Sequence, residues 1–132
     1  MKSFKKYFTI KANPESVYNA LVNPVVIELW SNAETTFVAE PNTEFSMFDG
    51  DIVGKNLEFV KDKKIVQEWY FENPEGEESI VTIKVHTDKQ FTSLEVSQTN
   101  IPDEAYDNIF EGWQYGIIDS LKEILEEDGE FE

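Results

Sequence analysis

The stretch that decides the fold is DEAYDNIFEGWQYGIIDSLKEILEE, residues 103–127. In it Tyr106, Phe110, Trp113, Ile117, Leu121 and Ile124 follow one another at intervals of 4, 3, 4, 4 and 3. That is the spacing of an apolar stripe along one side of a helix. Asp107, Glu111, Gln114, Lys122 and Glu126 fall largely on other faces. The pattern predicts one uninterrupted amphipathic helix, about 37 Å long at 1.5 Å per residue. Asn100-Ile101-Pro102-Asp103 stops the preceding extended run and caps the helix, and the tail 128–132 reads as frayed.

Upstream of the helix the period changes to two. Ile80–His86 sets Val81, Ile83 and Val85 on one face and Thr82, Lys84 and His86 on the other; Leu94 and Val96 alternate with Glu95 and Ser97. Ile52–Val60 is a longer strand interrupted by Gly54, which reads as a bulge or a close backbone approach. Lys64–Phe71 follows the Asp62-Lys63 turn, and Asn73-Pro74-Glu75-Gly76 is a loop. Phe4–Lys11, Thr35–Ala39 and Glu44–Phe48 complete seven strand-like runs. Asn13-Pro14 and Asn23-Pro24 each pair a capping side chain with a proline suited to a first helical position. They open two short helices, the first with Val17, Ala20 and Leu21 on one side and the second running through Leu29-Trp30. Short links between strands favour antiparallel pairing. The expected fold class is α+β: a curved antiparallel sheet of six or seven strands, two short helices, and the long C-terminal helix packed in the concave face.

Composition narrows the function. A chain of 132 residues, 14% aromatic, is long enough for one domain with a real core. No apolar run approaches the length of a membrane span. The basic start, Met1-Lys2-Ser3-Phe4-Lys5-Lys6, lacks the apolar centre of a signal peptide, so a cytoplasmic location is expected. There is no cysteine, hence no disulfide or thiolate chemistry. Acids outnumber bases 27 to 11, every base is lysine, and the formal net charge is −16. Nucleic acid and anionic membranes are excluded as partners, because their phosphates would be repelled. The acidity serves either solubility or a basic protein partner. Residues 1–11 carry four lysines and no acid, whereas residues 90–132 carry twelve acids and Lys122 alone. Attraction between these segments is expected, at about 0–1 kcal/mol for each exposed pair.

Four stretches carry a resemblance. They are Phe45-Ser46-Met47-Phe48-Asp49-Gly50 with Ile52-Val53-Gly54; Lys64-Ile65-Val66-Gln67-Glu68-Trp69; Pro74-Glu75-Gly76 leading into Val81-Thr82-Ile83; and Ile101-Pro102 followed by Glu111-Gly112-Trp113. In order and spacing, over nearly the full chain, they resemble the helix-grip, START-like superfamily. Within it they resemble the family of the C-terminal domain of the Hsp90 ATPase activator. The family commonly has Arg or Lys after the strand tryptophan; here Tyr70 stands there, so the resemblance carries no role for a positive charge at that point. The eukaryotic activators also have a separate N-terminal domain that engages the chaperone, and none is expected within these 132 residues.

The resemblance implies apolar space between sheet and helix. The inward positions expected to contact a ligand are Phe45, Leu57 and Phe59; Ile65, Gln67, Trp69 and Ile83; and, on the helix, Tyr106, Phe110, Trp113 and Ile117. Val81, Leu94 and Val96 share that face. Either the space is an open cavity or the aromatic side chains fill it. Trp69 and Trp113 are placed to face each other, and a buried indole N–H needs a partner. Gln67 and Tyr106 would then serve either a ligand or the tryptophans. Gly112 costs about 1 kcal/mol in a helix relative to Ala; close approach to a neighbouring element or a kink would account for it.

Catalysis finds little support. His86 is the only histidine and its strand phase turns it to solvent. One histidine without cysteine leaves the common metal and nucleophile arrangements out of reach. Glu58 and Glu68 lie on adjacent strands, but solvated sheet faces explain them. No metal or cofactor is implied. The first expectation is therefore non-enzymatic binding of a small apolar or amphipathic ligand. The second is a protein-interaction module acting on an Hsp90-type ATPase, which the resemblance implies. The third, also from the superfamily, is a cyclase- or dehydratase-like enzyme using Gln67, Gln98 and Tyr106.

Overall fold

A computed structural model of the chain describes residues 1–71 and 78–130. Strand β1 (Lys2–Ile10) leads into helices α1 (Pro14–Val22) and α2 (Pro24–Ser31), then β2 (Thr43–Met47), β3 (Ile52–Val60), β4 (Lys64–Trp69), β5 (Ser79–Asp88) and β6 (Phe91–Ile101). A terminal rod follows: α3 (Tyr106–Glu111), a π-helical segment Gly112–Ile118, and α4 (Asp119–Glu130). The six strands form one antiparallel sheet in the order β1-β6-β5-β4-β3-β2. The Asn73–Gly76 loop and the end of the tail lie outside the described residues.

Both short helices start as their residues dictate. Asn13 Oδ1 accepts from Ser16 N–H at 2.8 Å, and Asn23 Oδ1 from Val25 N–H at 3.0 Å, each just before a proline. Asn32 closes α2 in the left-handed region at φ 55°. Trp30 Nε1–H donates to the Ala20 carbonyl at 2.8 Å, which locks α2 onto α1. Against this pair and the concave face of the sheet the rod lays Trp113, Ile117, Ile118 and Leu121, all buried.

Three expectations need correction. Thr35–Ala39 is not a strand; it makes a single bridge, Thr36 to Ser46, so the sheet has six strands. Leu57 does not join the core. The β3–β4 register shifts between Asn56 and Glu58, and Leu57 is the extra residue of that bulge, half-exposed, while Asn56 takes the fully buried place. The rod is continuous, but it is not α-helical throughout: at Gly112–Ile118 it widens into π turns. That widening brings Ile118 into the core beside Ile117, a position the regular spacing passes over.

Gly54 is a close approach. A Cβ there would lie 2.0 Å from the Glu68 carbonyl oxygen and about as near the Phe45 ring as no real Cβ comes, at 2.9 Å. Gly112 is not. A Cβ there, or at Gly116, meets nothing within 4 Å. Close packing therefore does not explain the helical glycines; they border open space.

Candidate functional site

The sheet register aligns a row of side chains across the concave face: Asn56, Gln67, Val81 and Gln98 are successive cross-strand partners. Beside it Gly54, Trp69 and Ser79 form the next row. The rod places Trp113 over these rows, and its indole stacks on that of Trp69, with centroids 5.3 Å apart and planes at 12°. Both tryptophans are buried.

Polar side chains in this core form two short chains that begin at the stacked indoles. Trp69 Nε1–H donates to Gln67 Oε1 at 3.0 Å, Gln67 Nε2–H to Asn56 Oδ1 at 3.0 Å, and Asn56 Nδ2–H to the Val38 carbonyl at 3.0 Å. On the other side Trp113 Nε1–H donates to Gln98 Oε1 at 2.9 Å, and Gln98 Nε2–H to Ser79 Oγ at 3.1 Å. Ser79 in turn donates to the Thr99 carbonyl at 2.7 Å. Among the described residues no buried side-chain nitrogen or oxygen lacks a partner. Hydrogen bonding here is closed on itself, which is the condition for burying amides at low cost.

Of the residues expected at a ligand site, Phe45, Ile65, Gln67, Trp69, Ile83, Trp113 and Ile117 are buried core, and Phe59 packs at its margin. Leu57 sits at the bulge, apart from them. Tyr106 and Phe110 are elsewhere: they stack on each other and meet the Phe4 ring on β1, with Lys2 over Tyr106 and Lys6 over Phe110. So the β1 lysines meet the rod through aromatic faces, and Lys6 Nζ donates to Gln114 Oε1 at 3.2 Å. Gln98, weighed in the sequence only for catalysis, is the partner of Trp113. Its phase with Val96 and Leu94 on β6 was the available signal.

Two of the hollows among the described residues, the two of greatest volume, stand outside this packed centre. One, about 750 Å³, lies between the start of α1 and the β3–β4 turn, with Asp62, Lys63, Lys64, Lys84 and His86 on its walls. The second, about 530 Å³, is a groove beside the tryptophan pair. Phe48, Asp51 and Ile52 form one wall, and Asn108, Ile109, Gly112 and Gly116 of the rod form the other. Its floor is Trp69, Trp113 and Ile117. Phe48 stands in the left-handed region at φ 54°, an uncommon state for a bulky residue. Asp49 clamps it there by accepting Glu34 N–H at 2.8 Å, and the Phe48 ring meets Trp30 edge-on.

The charged groups first weighed for chemistry are dispersed. His86 is half-exposed on the convex side, 3.0 Å from Glu95, which also lies 3.7 Å from Lys5. The His86 hydrogen bond, then Lys5 and Lys84, hold the Glu95 carboxyl below its ordinary value of 4.5 against the opposing effect of burial. Glu58 pairs with Lys64 at 2.9 Å, and Glu68 lies opposite Lys55. No group of three or more His, Cys, Asp or Glu among the described residues is placed to hold a metal.

A six-stranded antiparallel sheet gripping a terminal helix through a tryptophan stack is a helix-grip, START-like fold. A family model described as "Activator of Hsp90 ATPase homolog 1-like protein" matches residues 11–126, and the chain belongs to that family. A Dictyostelium discoideum protein, "Activator of 90 kDa heat shock protein ATPase homolog", is 33% identical over 123 residues, 92% of this chain and 32% of its own length. The human "Activator of 90 kDa heat shock protein ATPase homolog 1" is 26% identical over 118 residues, 89% of this chain and 35% of its own. The chain thus spans about a third of the length of these curated relatives. Among solved structures, an HSP90 activator from Plasmodium falciparum superposes with a TM-score of 0.86 at 24% identity, covering 95% of this chain and 96% of that one. The Aha1 dimer from Colwellia psychrerythraea superposes at 0.82 with 18% identity, over 95% and 96%. At these identities the superpositions establish the fold.

Proposed function

We propose that this domain is a protein-docking module that binds an Hsp90-type chaperone and raises its ATP turnover in the cytoplasm. The observation that carries the reading is the packed interior. The room in which a helix-grip protein could enclose a small molecule holds the Trp69–Trp113 stack and its amide partners. Binding energy must then come from the outer surface, and the curated relatives are named as activators of a chaperone ATPase. Such a role asks no chemistry of this chain; the ATP is hydrolysed by the partner. The test is the steady-state ATPase of a purified Hsp90-type chaperone with increasing amounts of the domain. Saturable acceleration, with a complex seen by calorimetry, supports the reading. A flat response with no heat of binding sinks it.

A second reading, a small apolar or amphipathic ligand, keeps one observation in its favour. The groove of about 530 Å³ falls within the usual size of ligand pockets, roughly 300–1,000 Å³. Native mass spectrometry of the purified chain and a thermal-shift screen of lipids and aromatic compounds would decide it. Absence of both a copurifying mass and any shift counts against it.

A further inference from the structure

The groove beside the tryptophans combines three properties. Its floor is apolar and aromatic, formed by Trp69, Trp113 and Ile117. One wall is kept low by Gly112 and Gly116, whose missing side chains face open space. Both walls come from segments of one charge sign. The wall at Phe48–Ile52 belongs to the stretch from Ala12 to Gly54, which holds seven acids and no base. The rod from Asp103 to Leu121 holds five acids and no base.

The rod's acids are also regularly placed. Asp103, Asp107, Glu111, Tyr115, Asp119 and Glu123 recur every fourth residue, and all are exposed. Like charges at that spacing oppose helix formation. The one uncharged member, Tyr115, is 62% exposed and offers an aromatic face on which a cation can settle. Asp51 lines the groove itself, and on the opposite side the exposed Glu111 and Tyr115 directly precede the wall glycines Gly112 and Gly116 in the chain.

We propose that the groove receives a basic segment of the chaperone. One large apolar side chain of that segment sits against the edge of the Trp69–Trp113 stack. Lysine or arginine side chains flanking it meet Asp51 on one wall and reach past the other wall to the exposed Glu111, Tyr115 and Asp119 beside its glycines. The inference rests on the docking reading above and deepens it by naming the face and the chemistry of the partner. Charge complementarity selects this occupant: an acidic peptide would be repelled by Asp51 and by the acids beside the rod wall, and a neutral lipid would leave them unused.

The experiment measures affinity of the intact domain for a purified Hsp90-type chaperone by calorimetry, at low and high salt. The wild type is expected to weaken about tenfold between 50 and 300 mM salt. Gly116→Phe, which plugs the groove from a site with room for it, and Glu111→Lys with Asp119→Lys, which reverse its charge, should each weaken binding about tenfold or more. Glu40→Lys, a single charge reversal at the far end of the β2–β3 hairpin, should leave binding unaltered. Melting curves confirm that each variant is folded; the charge reversals carry the test if the plug disturbs the rod. If the chaperone binds the wild type and these variants equally, the inference is overturned and the docking reading survives. If the wild type does not bind at all, both fall. A second probe separates the groove from the rest of the interface. The peptide Lys-Lys-Leu-Leu-Lys-Lys should shift the amide resonances of Gly112 and Gly116, and a glutamate-flanked counterpart should not. Equal shifts from both peptides, or none from the lysine peptide while the chaperone binds, overturn the assignment.

Discussion

Replacing Gln98 with Met tests the internal architecture most sharply. Gln98 is fully buried, and Met keeps its length and nearly its volume, so little cavity or strain cost arises. What changes is the hydrogen bonding. The 2.9 Å acceptor of the Trp113 indole N–H disappears, and Ser79 loses one donor while keeping its own bond to Thr99. One buried donor is orphaned, at a cost of about 1–3 kcal/mol. Gln67→Met orphans two groups, the Trp69 indole N–H and Asn56 Oδ1, and should cost about twice as much. Urea denaturation with linear extrapolation reads both values, and for a domain of this size each kcal/mol lowers Tm by roughly 4 °C. Combining Gln98→Met with Trp113→Phe removes donor and acceptor together. That double variant should be less destabilised than the sum of the singles by about 1–3 kcal/mol. A Gln98→Met protein within about 0.5 kcal/mol of wild type, or a cycle that is simply additive, would refute the idea that these amides satisfy buried indoles.

The glycines make a contrasting set. Gly112→Ala and Gly116→Ala should each stabilise by up to about 1 kcal/mol, since the new methyl meets nothing and the helix gains. Gly54→Ala should instead fail to reach a soluble folded state or lose several kcal/mol, because the methyl collides with the Glu68 backbone; expression yield and melting curves distinguish the outcomes. Asn13→Ala removes the bond to Ser16 N–H and should cost about 1 kcal/mol by urea titration. Glu95 has its carboxyl held below 4.5 in the folded state, so its stabilising effect is complete above that pH and is lost as pH falls through the folded value. Wild-type Tm should therefore drop more steeply than that of Glu95→Gln below about pH 4.5; parallel curves would count against the His86 and Lys5 contacts as the cause.

Much of the fold was legible because its determinants are local. Asn-Pro pairs announce helix starts, and alternation of Val81, Ile83 and Val85 announces a face, without knowledge of any neighbour. Gly54 was readable as either a bulge or a close approach, and the structure selects the second. The failures are tertiary. Nothing around Leu57 shows that the register slips there, since a bulge is defined by two strands at once. Thr35–Ala39 has strand-like residues but finds only one bridge with β2. The π turn at Gly112–Ile118 depends on how the rod meets the sheet, and a stripe with intervals of 4, 3 and 4 keeps close to the α-helical period and gives no sign of it. The candidate site divided in the same way. Sequence placed Trp69 opposite Trp113 but could not say whether space separated them, because that depends on the stacking distance. It also set Tyr106 and Phe110 on the core stripe, whereas the rod's first turns rest on Phe4 at the sheet's edge.

The strand order holds a lesson about how the molecule assembles. Every neighbouring pair in the sheet is consecutive in the chain except β1 and β6, where Lys2 lies beside Ile101. The far end of β1 is moored as well, since Lys11 N–H reaches Glu126 at 2.8 Å. A nascent polypeptide can zip the hairpins from β2 to β6 as they emerge from the ribosome. The β1 segment must wait, unpaired, until β6 has been made. We expect β1 to gain protection last in pulsed hydrogen exchange, the lysines along it keeping that waiting edge soluble in the interval.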